Sequence, residues 1–195
     1  MIVAEPKPLA EIKAKVSEYS KILILGCGIC VKTCFAGGED EVATLASSLR
    51  LAFKKDGKTI KIEEQTVERQ CEDEFIKEAA AKIGNVEAVV SLACGVGAQM
   101  VGSRFVKVPV LPGVNTTFMG ILEKPGLFVE RCLGCGNCFI DTFGGICPIS
   151  RCAKKLFNGP CGGSSGGKCE VNAETDCAWQ LIVDRAKESG QLEKL

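Results

Sequence analysis

The stretch KILILGCGICVKTC, residues 21–34, decides the fold of the first part of the chain. Its continuous apolar run, residues 22–25, is typical of a strand that is buried on both faces of a sheet. Three thiols, those of Cys27, Cys30 and Cys34, follow the run directly. The stretch therefore predicts a buried strand whose carboxyl end carries a set of cysteines.

Helical and strand-like periods alternate around this strand. Apolar residues recur at helical spacing in residues 9–19, 42–52, 72–83 and 95–105, and strand-like runs occupy residues 59–67, 86–93 and 108–111. Strands that alternate with helices indicate a parallel sheet with right-handed crossovers. Residues 1–112 are therefore predicted to form an α/β domain, a small doubly wound parallel sheet with its cysteines at the carboxyl ends of the strands.

The composition changes near residue 131. Eight of the thirteen cysteines lie in residues 132–177, among many glycines and few large apolar side chains. Such a segment buries too little apolar surface to fold without metal ligation. We predict a connector over residues 113–131. Over residues 132–195 we predict a Cys-rich, cluster-binding, ferredoxin-like segment that ends in a C-terminal helix with Thr175 as its N-cap.

Charge and hydropathy exclude several functional classes. The 195 residues are 46% hydrophobic and 25% charged, and the formal net charge is zero, so no electrostatic footprint for nucleic acid or an anionic membrane is present. No apolar run approaches the ~18 residues of a membrane-spanning helix. The N-terminus lacks the basic and apolar regions of a signal peptide. We therefore expect a cytoplasmic protein with no nucleic-acid partner and no membrane span.

The thirteen cysteines have no histidine beside them anywhere in the chain. A reducing compartment disfavours a disulfide framework, and an odd count fits one poorly. Without imidazole ligands, a His-rich catalytic zinc site is excluded, and copper and non-haem iron sites are disfavoured. Ligation by thiolates alone leaves iron–sulfur clusters and tetrathiolate zinc.

Five cysteines are predicted to meet at one edge of the sheet. Because the carboxyl ends of parallel strands converge at the switch point, we expect Cys71 and Cys94, which follow two later strands, to join Cys27, Cys30 and Cys34. A cluster needs four thiolates, so either Cys71 or Cys94 completes the set. Cys94 is the preferred metal ligand, and Cys71 is the preferred surplus thiol beside the cofactor.

Two other ligands are possible at this edge on chemical grounds. A tetrathiolate zinc would take the same ligands as a cluster. The pairs Gly26-x-Gly28 and Gly95-x-Gly97 begin like dinucleotide fingerprints, but Val31 and Met100 stand where the third glycine belongs. Nucleotide binding is therefore the weaker hypothesis.

A second set of cysteines begins with Cys132, Cys135 and Cys138, spaced Cys-x-x-Cys-x-x-Cys like the opening of a bacterial ferredoxin site. The pair Cys147-Pro148 is similar to the ferredoxin ending, where the fourth cysteine ligates the other cluster, but the gap is longer here. Four more candidate ligands follow: Cys152, Cys161, Cys169 and Cys177. Eight thiolates suffice for two clusters, with one cluster plus one tetrathiolate zinc as the alternative.

Five strings in the sequence carry a family resemblance: VERQCE, SLACGVG, RCLGCGNCFIDTFGGICPISRCAK, NGPCGG and DCAWQLI. They resemble the methylenetetrahydrofolate reductase C-terminal (MetV-type) family, and the resemblance covers nearly the whole chain. It implies an iron–sulfur accessory subunit, sometimes described as zinc-binding, of an anaerobic methylenetetrahydrofolate reductase. The implied partner is a flavin-containing TIM-barrel catalytic subunit that works in the Wood–Ljungdahl pathway.

The resemblance implies electron transfer as the function. Two or three [4Fe–4S] clusters would connect an external electron donor to the flavin of the catalytic subunit. A tetrathiolate zinc could take the place of one cluster. The folate and flavin sites are expected on that partner, because this chain is too short to supply the barrel as well. A further electron-donor subunit is a candidate partner, and the chain itself is expected to be non-catalytic.

Two alternatives belong to other functional classes. In the first, zinc-bound cysteines only stabilise the chain as a structural or docking subunit of the same complex. In the second, the chain is an enzyme that uses Cys71 or Cys94 as a redox thiol. The second is disfavoured, because the chain has no histidine base to activate the thiol.

Overall fold

Residues 1–195 are described by the structure, a computed structural model, and they divide into two units, Met1–Thr117 and Phe118–Leu195. The elements of the first unit are β1 (Ile2–Pro6), α1 (Leu9–Val16), β2 (Lys21–Cys27), α2 (Cys30–Thr33), α3 (Glu39–Lys55), β3 (Lys61–Val67), α4 (Asp73–Ile83), β4 (Ala88–Ser91), α5 (Gly95–Arg104), β5 (Val110–Pro112) and the start of β6 (Val114–Lys124).

Four parallel strands, in the order β3-β2-β4-β5, form the sheet of this unit. The apolar strand β2 lies in its interior, with Ile22 beside Ile62 of β3 on one side and beside Ala88 of β4 on the other. A strand that is flanked and covered on both faces must be apolar throughout, as residues 22–25 are. The predicted parallel α/β sheet is confirmed.

The two faces of the sheet pack against different helices. Ile22 and Ile24 of β2 lie in a core with buried residues of α1 and α3. Leu23 and Leu25 point to the opposite face, into a core built with α4 and α5. Since side chains alternate along a strand, one apolar run supplies both cores. The sheet therefore has helices on both faces, which is the doubly wound arrangement.

The longest helix, α3, has local signals at both of its ends. The carboxylate of Glu41 accepts a hydrogen bond of 2.8 Å from the backbone N–H of Gly38, just before the helix begins. Acidic residues occupy the first turn and lysines the last, and both complement the helix dipole. These signals explain why the helix could be placed from the sequence.

One strand of the first unit was not predicted. Strand β1 lies beside the start of β6, where the hydroxyl of Thr117 donates to the carbonyl of Val3 at 2.9 Å. The N–H of Lys7 donates to the carbonyl of Gly113 at 2.9 Å. The N-terminal segment is thus fixed by residues more than a hundred positions away, a contact that no local pattern signals.

The second unit begins with a β-hairpin. Its elements are the remainder of β6, β7 (Leu127–Cys132), α6 (Pro148–Arg151), α7 (Ala178–Glu188) and a short 3₁₀ turn (Leu192–Lys194). In the hairpin, Ile121 pairs with Val129 in an antiparallel ladder that contains irregularities at two places. Gly126 turns the chain with a φ of +79°, a conformation that favours glycine. The predicted connector over residues 113–131 is therefore largely strand.

The last long helix begins later than predicted. Thr175 is not its N-cap, because the carbonyl of Thr175 accepts a hydrogen bond of 2.9 Å from the N–H of Cys169. Lys168 also forms an isolated antiparallel bridge with Asp176. This pairing keeps residues 175–176 extended, so α7 starts at Ala178, with Cys177 in the N-cap position.

None of the helices combines the length and the apolar character that a membrane crossing requires.

The packing around Gly37 gives a test of the fold. A β-carbon on Gly37 would overlap the carbonyl oxygen of Leu92 and lie 2.9 Å from a methyl group of Val31. We expect Gly37→Ala to lower the free energy of unfolding by about 1–3 kcal/mol, the usual effect of overpacking. Urea denaturation followed by circular dichroism measures it.

The matched control is Gly102→Ala in α5. Its β-carbon would meet only a methyl group of Val110, at 3.9 Å, and alanine is the better helix former. The control should keep or raise the stability. Equal stability of the two variants would contradict the packing around Gly37.

Candidate metal centres

Three cysteines meet where the parallel strands of the first unit end. Cys27 is the last residue of β2 and is paired in register with Val67, the last residue of β3. Cys71 follows β3 after a short loop, and Cys94 follows β4 and precedes α5. The thiol of Cys27 is buried and donates to the carbonyl of Glu68 at 3.8 Å. Parallel pairing thus brings together three thiols that are distant in the sequence.

A buried polar network ties the three cysteine loops to each other. The side-chain amide of Gln70 is fully buried and donates to the carbonyl of Leu25 at 2.7 Å and to that of Gly26 at 3.1 Å. The buried hydroxyl of Ser91 donates to the Gln70 side-chain oxygen at 2.7 Å. The same hydroxyl accepts from the N–H of Ala93 at 3.3 Å. The network therefore ends beside all three cysteines. Leu25 and Gly26 precede Cys27, Gln70 precedes Cys71, and Ala93 precedes Cys94.

The glycines at this edge have packing roles. A β-carbon on Gly26 would lie 2.7 Å from a methyl group of Val42, and one on Gly97 would lie 2.8 Å from the β-carbon of Ala93. A β-carbon on Gly97 would also lie 2.9 Å from that of Gln70. Close packing therefore accounts for these two glycines without a nucleotide.

The surroundings of Cys27 contain groups that raise the pKa of its thiol and groups that lower it. Burial is the largest effect and raises the pKa of the Cys27 thiol above its ordinary value. The backbone N–H groups of Gln70 and Ile29 oppose that rise, and the neighbouring Cys71 and Cys94 add to it. On balance the pKa of Cys27 is raised, so burial favours its neutral thiol at this edge.

Cys30 and Cys34 form a separate pair. They lie one helical turn apart, so they share a face of the region around α2, which packs against β1. The thiol of Cys34 donates to the carbonyl of Ile2 in β1 at 3.7 Å. Burial raises the pKa of the Cys34 thiol, the N–H of Ala4 in β1 opposes the rise, and Cys30 adds to it. The predicted set of five is therefore split into three and two.

In the second unit, four cysteines line one cavity of about 280 Å³. They are Cys132, Cys135, Cys138 and Cys147. The cavity is many times the ~30 Å³ that one water molecule occupies in the liquid, so it offers room for a group of several atoms. Cys147 lies with the Cys-x-x-Cys-x-x-Cys loop, although the ferredoxin comparison would assign it to the other site. We refer to this set as the first quartet.

The loop of the first quartet directs backbone N–H groups at sulfur. Gly134, with a φ of +64°, donates its N–H to the sulfur of Cys132 at 3.3 Å. Around Cys147, desolvation acts to raise the pKa of the thiol, but hydrogen bonding by the N–H groups of Ser150 and Ile149 opposes it, and the pKa is lowered overall. The hydroxyl of Ser150 donates to the carbonyl of Arg131 at 2.9 Å. The lowered pKa of Cys147 favours the thiolate form that binds metals.

The remaining four cysteines of the tail line a second pocket, of about 20 Å³. They are Cys152, Cys161, Cys169 and Cys177. Four charged residues also lie in its wall, and three of them form ion pairs: Lys154 pairs with Glu170, and Asp176 pairs with Lys168 at 2.6 Å. The fourth is Arg151. The volume of the pocket is that of a single small group. We refer to this set as the second quartet.

An aromatic row runs between the two quartets. Phe139 and Phe157 line the cavity of the first quartet, and their ring centres are 5.2 Å apart. Phe143 stacks edge-on against Phe157 at 5.4 Å and against Trp179 at 5.6 Å, and Trp179 lines the second pocket. Phe143 and Trp179 belong to the small buried core of the second unit, with Ile182 and Cys177. Phe139 and Phe157 extend the row to the surface, where both are exposed.

No three cysteine, aspartate or glutamate side chains are already placed to coordinate a single metal ion. Ligands of one ion must converge on one point, whereas thiolates of a cluster bind different iron atoms and lie further apart. The all-thiolate donor sets and the cavity of the first quartet fit an iron–sulfur cluster. The predicted ligands are thus grouped by the fold as three, two, four and four.

Two residues of this region were not predicted as part of any site. Gln70 and Ser91 bear no metal-ligand signature, and their role depends on contacts across three loops. One sequence signal could have indicated them: Ser91 is a polar residue inside an apolar strand, and such a residue needs a buried partner.

Comparison with known proteins gives one match. Residues 111–195 match the family model described as methylene-tetrahydrofolate reductase C terminal. No curated protein and no solved structure matches the chain. The matched segment contains both quartets, whereas Cys27, Cys71 and Cys94 lie outside it.

The buried network around Gln70 gives a second test. Gln70→Leu would leave the Ser91 hydroxyl without its acceptor and remove the side-chain donor to the carbonyls of Leu25 and Gly26. A buried polar group left unpaired costs about 1–3 kcal/mol. We expect a clear fall in the urea midpoint of unfolding. The control, Gln65→Leu, removes an exposed bond of 3.2 Å to the carbonyl of Glu78 and should change stability by less than about 0.5 kcal/mol. A Gln70 variant as stable as this control would refute the network.

Proposed function

Because residues 111–195 match the family model described as methylene-tetrahydrofolate reductase C terminal, we propose that the chain is an iron–sulfur electron-transfer subunit of a methylenetetrahydrofolate reductase. It would pass electrons from an external donor to the flavin of a separate TIM-barrel catalytic subunit, in the cytoplasm, as part of methyl-branch (Wood–Ljungdahl) folate metabolism. The family match associates the chain with this reductase. The electron-transfer role is our inference from the cysteines.

The observation that carries the proposal is the first quartet. Four thiols that are not all adjacent in sequence line one cavity of about 280 Å³ in a unit with only a small apolar core. The chain has no histidine, so the donor set is the one that iron–sulfur clusters use. A bound cluster would supply one-electron transfer.

The protein's own groups would set the properties of that site. The N–H of Gly134 donates to the sulfur of Cys132, and donors to ligand sulfur raise the reduction potential of a cluster. The N–H groups of Ser150 and Ile149 favour the thiolate of Cys147. Phe139 and Phe157 line the cavity with exposed apolar rings, and the exposure of a cluster to water also affects its potential.

A structural role is the second candidate, and the size of the second pocket favours it there. A pocket of about 20 Å³ has room for one ion and not for a cluster without rearrangement. Four thiolates around one tetrahedral zinc would hold the tail together without electron transfer. Two metal contents are therefore possible for the second unit: a cluster in each quartet, or a cluster in the first quartet and zinc in the second.

Metal analysis of the two quartets tests the ligand assignment. In anaerobically prepared protein, Cys135→Ser should lower iron, acid-labile sulfide and visible absorbance together. Cys161→Ser should lower either the same three quantities or zinc alone, and this result decides between the two metal contents. The control is Cys34→Ser, because that thiol bonds to a backbone carbonyl in the first unit. Unchanged metal content in Cys135→Ser would refute a metal site in the first quartet.

Electron transfer itself is tested in the complex with the catalytic subunit. Two assays are compared: reduction of the flavin by the physiological donor, and oxidation of methyltetrahydrofolate with a dye that takes electrons directly from the flavin. Cys135→Ser should slow flavin reduction by the donor at least about tenfold, which corresponds to a barrier higher by about 1.4 kcal/mol or more. It should leave dye-linked oxidation of methyltetrahydrofolate unchanged. Equal effects on both assays would instead indicate a scaffold.

A further inference from the structure

The wall of the second pocket contains one charged residue that forms no ion pair. Four charged residues line this pocket beside the thiols of the second quartet: Arg151, Lys154, Glu170 and Asp176. Lys154 pairs with Glu170, and Asp176 pairs with Lys168 at 2.6 Å. Arg151 is left over, so the surroundings of the four thiols carry one uncompensated positive charge.

The carboxylates that act on Arg151 are already engaged with other cations. They are Glu123 and Asp176. Glu123 pairs with Arg131 at 3.0 Å, and Asp176 pairs with Lys168. Arg131 also lies close enough to Arg151 for the two positive charges to repel each other. Two carboxylates thus face three cations, and the excess positive charge stays with Arg151.

Local structure holds Arg151 at this position. It ends the short helix α6, which has Cys147 of the first quartet at its N-cap and Cys152 of the second quartet at its C-cap. The N–H of Arg151 donates to the carbonyl of Cys147 at 3.0 Å. The hydroxyl of the preceding Ser150 donates to the carbonyl of Arg131 in β7 at 2.9 Å. The helix and the hairpin together keep Arg151 in the wall of the pocket.

An uncompensated cation is unfavourable at this place. Arg151 is partly buried, and burial is the largest of the effects that lower the pKa of its guanidinium. An arginine nevertheless stays charged in proteins. Removing such a charge from water without a partner costs free energy. The wall is therefore better suited to a state of the pocket that contains negative charge.

Metal binding by the second quartet creates that negative charge. Cysteine ligands bind as thiolates, so four neutral thiols lose their protons when a metal enters. Zinc is a dication, and with four thiolates it forms a dianion. An oxidised [4Fe–4S] core also carries two positive charges, so it forms a dianion with four thiolates as well. A guanidinium in the wall attracts either group.

We propose that Arg151 is the counter-charge of the metal–thiolate group in the second quartet. It is a positioning residue, which retains the metal through its positive charge and does not coordinate it. The proposal rests on the part of the proposed function that assigns a metal to the second quartet, and it applies to zinc and to a cluster alike. It does not depend on electron transfer.

The rate of metal loss tests the role of the charge. The full chain is prepared anaerobically and mixed with a chromophoric chelator of zinc and iron. The metal that Cys161→Ser lacks defines the share of the second quartet. Arg151→Met removes the charge but keeps an unbranched apolar stem. It should speed the loss of this share roughly tenfold or more, since groups next to metal ligands affect metal affinity by about 10–100-fold. Loss at the wild-type rate would overturn the proposal.

Two further variants separate charge from packing. Arg151→Lys keeps the positive charge and should release metal at nearly the wild-type rate, whereas a role in packing alone would make it equal to Arg151→Met. Lys187→Gln changes the net charge by the same amount at an exposed position of α7 outside the pocket, so it should match the wild-type chain. Circular dichroism shows that each variant keeps its fold. Metal loss from Arg151→Lys as fast as from Arg151→Met contradicts the proposal.

Ionic strength gives a readout that packing does not affect. Salt screens the attraction between the guanidinium and the metal–thiolate group. Potassium chloride should therefore speed metal loss from the wild-type chain more than from Arg151→Met. Equal salt dependence of the two chains would exclude a role for the charge.

The failure of this proposal is distinguishable from the failure of the proposed function. If Cys161→Ser has the metal content of the wild-type chain, the second quartet binds no metal and Arg151 has no such role. Loss of iron in Cys135→Ser would then still support the proposed function. If instead Cys135→Ser keeps all its metal while the Arg151 variants behave as described, the proposed function fails and the role of Arg151 stands.

Discussion

The parallel pairing of β2 with β3 on one side and with β4 on the other is the constraint on which the first unit depends. It places the ends of three strands side by side, and the loops that follow them carry Cys27, Cys71 and Cys94. The apolar run of β2 supplies both cores, so the strand cannot shift by one residue without exchanging its faces. The position of the thiols is therefore as firmly set as the core itself.

The second unit is organised by a different principle. Its buried core consists of Phe143, Trp179, Ile182 and Cys177, and much of the segment between β7 and α7 is loop rich in glycine and cysteine. A unit of this size rarely gains enough stability from so small a core. The two quartets lie on either side of the aromatic row, so metal binding and aromatic packing would stabilise the same few loops.

The two units also differ in where the hydrogen-bond donors to cysteine sulfur come from. In the tail, short loops with left-handed glycines bring backbone N–H groups to the sulfurs of Cys132 and Cys161. At the sheet edge, donors to Cys27 come from loops whose positions are fixed by Gln70. The tail therefore places donors near sulfur through turn geometry within one loop, whereas the sheet edge does so through contacts between separate loops.

The sequence by itself determined the α/β alternation, the buried strand 22–25, the set of cysteines that are candidate ligands and the family resemblance, which the family model matches over residues 111–195. These depend on local periodicity, spacing and residue type. Only the tertiary structure decided the grouping of the thirteen cysteines, the hairpin of β6 and β7, the strand β1 and the start of α7 after Cys177. Those features depend on contacts between distant residues, such as Gln70 with Leu25 and Thr117 with Val3. Such contacts produce no repeating pattern in the sequence, because each joins two distant residues only in the folded chain.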